Sequence, residues 1–113
     1  FGFSVGVIKP IETGVKNEIP ADGTKLFEQA KKYNPKLHKL SIDEIVPFQF
    51  ELPAAPYIAS GKIEIDIEKI KTAIKNVKQY CDILLIEGAG GLMVPINKNY
   101  FMIDLIKELN YKT

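Results

Sequence analysis

A run of four branched apolar residues, Ile83-Leu84-Leu85-Ile86, followed at once by Glu87 and then by Gly88-Ala89-Gly90-Gly91, limits what this chain can become more than any other stretch. The run has no polar alternation, so it reads as a strand buried on both faces, the pattern of a parallel sheet covered by helices. Glu87 then stands where that strand leaves the sheet. An ionised carboxyl beside buried apolar residues is costly unless a cation or hydrogen bonds offset it, and the plain alternative is a glutamate solvated at a strand end. The glycines at 88, 90 and 91 let the backbone turn sharply and bring N–H groups close to an anion. Close packing of strand on helix would ask for the same residues. Together, a carboxylate and a phosphate cradle point to magnesium and nucleotide.

Any such anion site must be local, because lysines and acids nearly cancel to a formal net charge of +1. No broad field therefore attracts nucleic acid or an anionic membrane. With 113 residues, 46% of them hydrophobic and 26% charged, the chain is long enough for one small domain with a buried core. No apolar run approaches the roughly 18 residues of a membrane span, and the N-terminal Phe-Gly-Phe-Ser-Val-Gly-Val-Ile lacks the basic flank of a signal peptide. These features predict a soluble, cytoplasmic protein. The single cysteine, Cys81, agrees with a reducing compartment and reads as a small buried group at a helix–strand junction.

Residues 3–8 are a short β-branched run that stops at Lys9-Pro10. Proline has no N–H for a ladder and disfavours helix at the residue before it, so the strand should end there in a loop, Ile11-Glu12-Thr13-Gly14. Asp22 then precedes a helix of about three turns with Leu26, Phe27, Ala30 and Tyr33 on one face. Residues 36–46 fit a short strand or an irregular connection. Residues 47–57, with three prolines, read as a rigid extended loop. A short helical turn through Ser60 should end at Gly61. Asp66 opens the clearest helix, with Ile67, Ile70, Ile74 and Val77 at helical spacing, and this is the crossover into the strand at 82–86. Pro95 and Asn97-Lys98-Asn99 read as a loop, Met102, Leu105, Ile106 and Leu109 as a last helix, and Tyr111-Lys112-Thr113 as the start of a further connection. The layout is α/β, with parallel strands joined by crossovers. Two apolar parallel strands need neighbours and cover on both faces, so the 113 residues are expected to be an internal segment of a longer polypeptide.

Several side chains qualify for chemistry. Lys9, pinned by Pro10 at a strand exit, is suited to meet a carboxylate or phosphate as a point charge. Thr13 is the nearest hydroxyl, equally able to bind a polar substrate or to make a local turn with Gly14. Asp22 is as good a helix N-cap as a metal ligand. Asp43 and Asp104 look like ordinary helix or loop acids, and His38, the only histidine, lies in a basic surface-like stretch.

The motifs Lys9-Pro10-Ile11-Glu12-Thr13-Gly14, then Asp22, then Glu87-Gly88-Ala89-Gly90-Gly91-Leu92-Met93-Val94-Pro95, in that order, resemble those of the dethiobiotin synthetase family. Pro53-Ala54-Ala55-Pro56 is similar to that family's proline-flanked loop on the substrate side, so the resemblance spans most of the chain. It implies a P-loop NTPase-like three-layer α/β fold, a parallel sheet with flanking helices, incomplete in this segment. The implied activity is ATP-dependent carboxylation and ring closure of 7,8-diaminopelargonate with CO2 in biotin synthesis, with Mg2+ as cofactor, in a homodimer. Lys9 would match the catalytic lysine and Thr13 the residue that binds the diamine. Asp22 and Glu87 would match the carboxylates of the magnesium and ATP site, and Gly88, Ala89 and Gly90 the adjoining nucleotide contact.

One departure stands out: no Gly-x-x-x-x-Gly-Lys-[Ser/Thr] occurs in these residues. The resemblance places that loop upstream of Phe1 and the nucleobase and dimer regions downstream of Thr113, with residues 1–113 as a single domain between them. Two competing readings remain, another P-loop ATPase or ligase of cobyrinate synthase or partitioning type, and a non-catalytic interaction domain.

Overall fold

The structure, a computed structural model, describes residues 2–110. Its spine is a parallel pair, β1 (Val5–Ile8) and β4 (Ile83–Ile86), in a register that sets Val5 against Ile83 and Ile8 against Ile86. Pro10 interrupts the ladder, as a residue without an N–H must. The chain then resumes as β2 (Ile11–Glu12), parallel to β3 (Phe48–Gln49). Main-chain bonds from Lys9 N–H to Ile45 C=O (2.9 Å), Phe48 N–H to Pro10 C=O (3.1 Å) and Phe50 N–H to Glu12 C=O (2.9 Å) stitch this second pairing. The loop expected from Ile11 is thus a strand for two residues before it turns.

Between β2 and β3 lie α1 (Ala21–Tyr33), a 3-10 helix (Pro35–Lys39) and α2 (Ile42–Ile45), which settle the ambiguous region as helical rather than strand. Ser41 N–H donates to the Glu44 carboxylate (2.9 Å), the contact that starts α2. α1 begins at Ala21 with Pro20 in the cap position, so Asp22 is not its N-cap but its second residue. Nor does Tyr33 share the buried face: it is 79% exposed, whereas Phe27 is 4%. Each three-residue step lags a full helical turn by about 60°, and two such steps from Phe27 carry Tyr33 round to solvent.

The stretch at 47–57, expected as a rigid extended loop, contains β3 and the first two residues of α3 (Pro56–Ala59), the expected helical turn, which ends before Gly61, at φ +72. α4 (Ile67–Lys78) is as the spacing predicts, with the Asp66 side chain accepting from Glu68 N–H (2.9 Å) and Ile70, Ile74 and Val77 buried. The loop expected at 97–99 is a hairpin instead, β5 (Pro95–Asn97) against β6 (Tyr100–Phe101), and α5 (Met102–Leu109) follows directly. Asn97 anchors that hairpin: its side chain accepts from Ile65 N–H (2.6 Å) and donates to Ile65 C=O (2.9 Å). The expectation for residues 111–113 lies outside the described residues.

Ile8, Ile11, Leu37, Ile45, Ile70, Ile74 and Ile96 form the centre of one core. β1 is enclosed there, with Gly6, Val7 and Ile8 all buried. β4 is not buried on both faces as its composition suggested. Leu84 and Ile86 pack on the core, whereas Ile83 and Leu85, on the opposite face, are 44% and 57% exposed, because the described residues cover only one face of β4. Cys81 sits half-buried at the α4–β4 junction, where a Cβ on Gly6 would come within 2.6 Å of its Sγ, and burial pushes its thiol pKa up. Among the described residues no helix is long and apolar enough to cross a membrane.

Candidate functional site

The register that pairs Ile8 with Ile86 makes Lys9 and Glu87 the next residues in line, and Glu87 N–H continues the ladder to Ile8 C=O (3.0 Å). In a parallel pair, residues in register project to the same side, so the two side chains must meet. Lys9 Nζ donates to Glu87 Oε1 at 2.9 Å and lies 3.5 Å from Asp22 Oδ2. The Lys9 side chain is 6% exposed, against 47% for Glu87 and 66% for Asp22. Burial by itself lowers the lysine's pKa, but the hydrogen bond and charge of Glu87, with the charges of Asp22 and Glu12, outweigh it and hold the amine above its ordinary value. A fixed ammonium with two solvent-accessible carboxylates around it is an arrangement for handling anions.

Asp22 reaches the lysine because α1 starts one residue before it, and its own N–H is taken by another group. Glu12, 4% exposed, accepts from Asp22 N–H through Oε2 (3.0 Å) and from Gly23 N–H through Oε1 (2.8 Å). Those are two of the four amides that a helix start leaves without internal partners. The reading of the sequence passed over Glu12. Asp22 offered itself as the cap in the sequence, and only the helix start at Ala21 shows that the acceptor is Glu12 instead.

Thr13 and Gly14 turn away from β2 beside the proline-flanked loop. Gly14, at φ +71, donates from its N–H to Leu52 C=O (3.3 Å), and a Cβ there would stand 3.3 Å from Pro53 Cβ. Thr13 thereby lines a cavity of about 350 Å³ with Pro53, Ala54, Ala55 and Pro56 on one side and Ala89, Gly90 and Val94 on the other. Gly90 makes the bend after β4 at φ +76. Gly88 and Ala89 also border a second, mostly apolar cavity of about 270 Å³ between Glu87 and the α5 residues Met102, Leu105 and Ile106. The structure therefore brings Lys9, Asp22 and Glu87 into one cluster, sets Thr13 with Ala89 and Gly90 along one cavity, and sets Glu87, Gly88 and Ala89 along the other. His38 stays on the surface, while Asp43 accepts from the Gln49 amide (3.0 Å) and Asp104 from Phe101 N–H at the start of α5 (2.8 Å), so these two acids play structural parts. Among the described residues no group of three or more His, Cys, Asp or Glu side chains could hold a metal ion.

The chain is similar to known proteins. Over 96% of its length the chain is 51% identical to the ATP-dependent dethiobiotin synthetase of Sulfurovum sp., of which it covers 51%. It is 40% identical to the enzyme of that name from Thermodesulfovibrio yellowstonii, over 96% of this chain and 48% of that one. For the Aquifex aeolicus enzyme the identity is 37%, over 98% of this chain and 47% of that one. The resemblance to dethiobiotin synthetases seen in the motifs thus extends along the whole sequence, which spans about half the length of these relatives. A family model described as an AAA domain matches residues 2–113. Parallel strands with helices between them accord with that match, and the chain belongs to the AAA-domain family, with its P-loop NTPase-like α/β fold.

Proposed function

We propose that the chain is the central part of an ATP-dependent dethiobiotin synthetase, a segment of a longer polypeptide whose phosphate-binding loop precedes it and whose nucleobase and dimer regions follow. The observation that carries this reading is the buried Lys9 ammonium at the β1 exit, within reach of Glu87 and Asp22, with Glu87 and the Gly88-Ala89 turn bordering a cavity. In this reading the protein is a cytoplasmic homodimer that takes 7,8-diaminopelargonate, CO2 and ATP.

One amine of the substrate adds to CO2 and loses a proton, giving a carbamate. A carbamate oxygen then attacks the γ-phosphorus of ATP, and the new O–P bond forms as the bridge to ADP breaks. Two anions approach each other in that step. The Lys9 ammonium meets both as charge builds up, and its direction is fixed in advance because its stem is buried. Thr13 offers its hydroxyl to the diamine, while Gly88, Ala89 and Gly90 present main chain to the nucleotide. The second amine attacks the carbamic–phosphoric anhydride at carbon, the C–O bond breaks, phosphate leaves, and the cyclic urea is closed.

Asp22 and Glu87 fit a magnesium site: they are hard oxygen donors, and Mg2+ takes one or two carboxylates and completes its shell with water and phosphate oxygens. When bound, the ion screens the charge of the phosphates. The test is phosphate release by the complete protein. It should require both the diamine and bicarbonate in addition to Mg·ATP. Release without the diamine would assign the protein to a different P-loop ATPase, and an absence of heat on titration with Mg·ATP would leave the interaction domain.

A further inference from the structure

We infer that Glu12, to which none of the chemistry above is assigned, is the positioning residue of the site: it holds the first turn of α1 so that Asp22 reaches Lys9 and the metal. The inference rests on the reading of Asp22 as a metal-site carboxylate. An exposed helix start attracts anions through its free amides and its dipole. Here the anion is internal. Both oxygens of the Glu12 carboxylate are spent on the successive N–H groups of Asp22 and Gly23, at 3.0 and 2.8 Å, and the side chain is buried. These charge-assisted bonds tie the second and third residues of α1 to β2, the segment that follows Lys9 at its strand exit.

Residue 23 shows how closely the two elements are drawn together. A Cβ there would stand 2.2 Å from Val46 Cγ2 and 3.2 Å from Glu12 Oε1, so only glycine lets the helix approach its acceptor. The same carboxylate adds to the negative field around Lys9. Asp22 has no buried side-chain packing of its own to fix it, being 66% exposed. Its 3.5 Å approach to Lys9 Nζ therefore depends on where the backbone of residue 22 is held, and Glu12 holds it.

A helix cap with no bearing on the site would make the same hydrogen bonds, and a double-mutant cycle separates the two roles. Mn2+ is titrated into the complete protein with a non-hydrolysable ATP analogue present and followed by paramagnetic resonance, alongside amide exchange of residues 21–24. Glu12→Gln turns one acceptor into a donor. It should weaken Mn2+ binding about 10-fold, the usual cost of losing an outer-shell partner, and speed exchange of those amides. Glu12→Asp keeps the charge but is too short to bridge both amides, and should do the same even if Glu12→Gln fails to fold. In an Asp22→Asn background either replacement should still speed exchange, yet change Mn2+ affinity by less than about twofold, because the side chain it positions is gone. Equal losses with and without the Asp22 carboxylate, or faster exchange with unchanged Mn2+ affinity in the Asp22 protein, would reduce Glu12 to a cap. If the unmutated protein binds no Mn2+, the metal reading of Asp22 and Glu87 is what falls, and the inference drawn from it falls too.

Discussion

Lys9 carries two properties that oppose each other, near-complete burial and a full positive charge, and its neighbours decide the outcome. Burial lowers its pKa, but Glu87 first, then Asp22 and Glu12, raise it above 10.5 in the folded protein. A group that binds its proton more tightly when folded stabilises the fold wherever it is protonated. That contribution is complete below about pH 10.5, the unfolded value, and is lost as pH climbs through the higher folded value. The melting temperature of the parent protein should therefore fall more steeply above that pH than that of Lys9→Met, which carries no titrating group there; parallel curves in calorimetry would mean the ion pair contributes nothing. Methionine keeps the apolar stem but leaves Glu87 and Asp22 without their cation, so at pH 7 the variant should melt below the parent, though only modestly because both carboxylates are solvent-accessible. Diamine-dependent phosphate release, by contrast, should drop about 10²- to 10³-fold, the usual cost of losing one donor to a developing anion. Retention of most of the turnover would remove Lys9 from the chemistry. Lys9 and Glu87 were legible in the sequence because each is the first charged residue after an apolar run. That one property places both at strand exits, and a parallel register then brings them together. Glu12 was not legible in the same way, since its partners lie ten and eleven positions further on and only the folded chain shows that they are amides.

At the scale of elements, the contacts between them are where single changes should tell. Gly23→Ala would drive a methyl into Val46, and overpacking of this kind costs about 1–3 kcal/mol. Urea unfolding should show that loss, and Val46→Ala, by removing the obstructing methyl, should return part of it; no recovery would locate the strain elsewhere. Asn97→Ala should be worse. It strands the buried N–H and C=O of Ile65, and at about 1–3 kcal/mol for each unsatisfied group the tie between the β5–β6 hairpin and the segment before α4 is lost. Faster amide exchange at Ile65 would report it directly. The elements read correctly were those whose signals are local. α4 has its Asp66 cap and four apolar residues at helical spacing, and α5 has the same spacing in a shorter span. α2 had a signal too, the pairing of Ser41 with Glu44 three residues later, but four residues of helix show too little periodicity to stand out. The hairpin could not be read because its turn, Lys98-Asn99, lacks the glycine that usually marks one. β2 and β3, two residues each, exist only because the chain beyond Pro10 runs alongside the chain beyond Ile45.

For the whole molecule, the sheet poses the open question. β1 is enclosed while β4 presents Ile83 and Leu85 to solvent, and a contiguous apolar strand face is a site of association unless something covers it. The sequence suggested a strand buried on both faces because its apolar content reflects a covered setting, whereas the described residues supply cover on one face only. On the proposal that these residues are the centre of a longer enzyme, the remainder covers that face. One substitution then has opposite effects in two contexts. In the 113-residue chain alone, Leu85→Lys should reduce self-association in sedimentation experiments, because it places a charge on an exposed apolar edge. In the complete protein the same lysine would be buried without a partner and should cost roughly 3 kcal/mol or more in urea unfolding. Neither form of the short chain should release phosphate from ATP in response to diaminopelargonate, since no phosphate-binding loop of Walker type occurs in it. Diamine-dependent release from the short chain, or a complete protein indifferent to Leu85→Lys, would mean that the face has no cover and that the site needs none of the additional sequence.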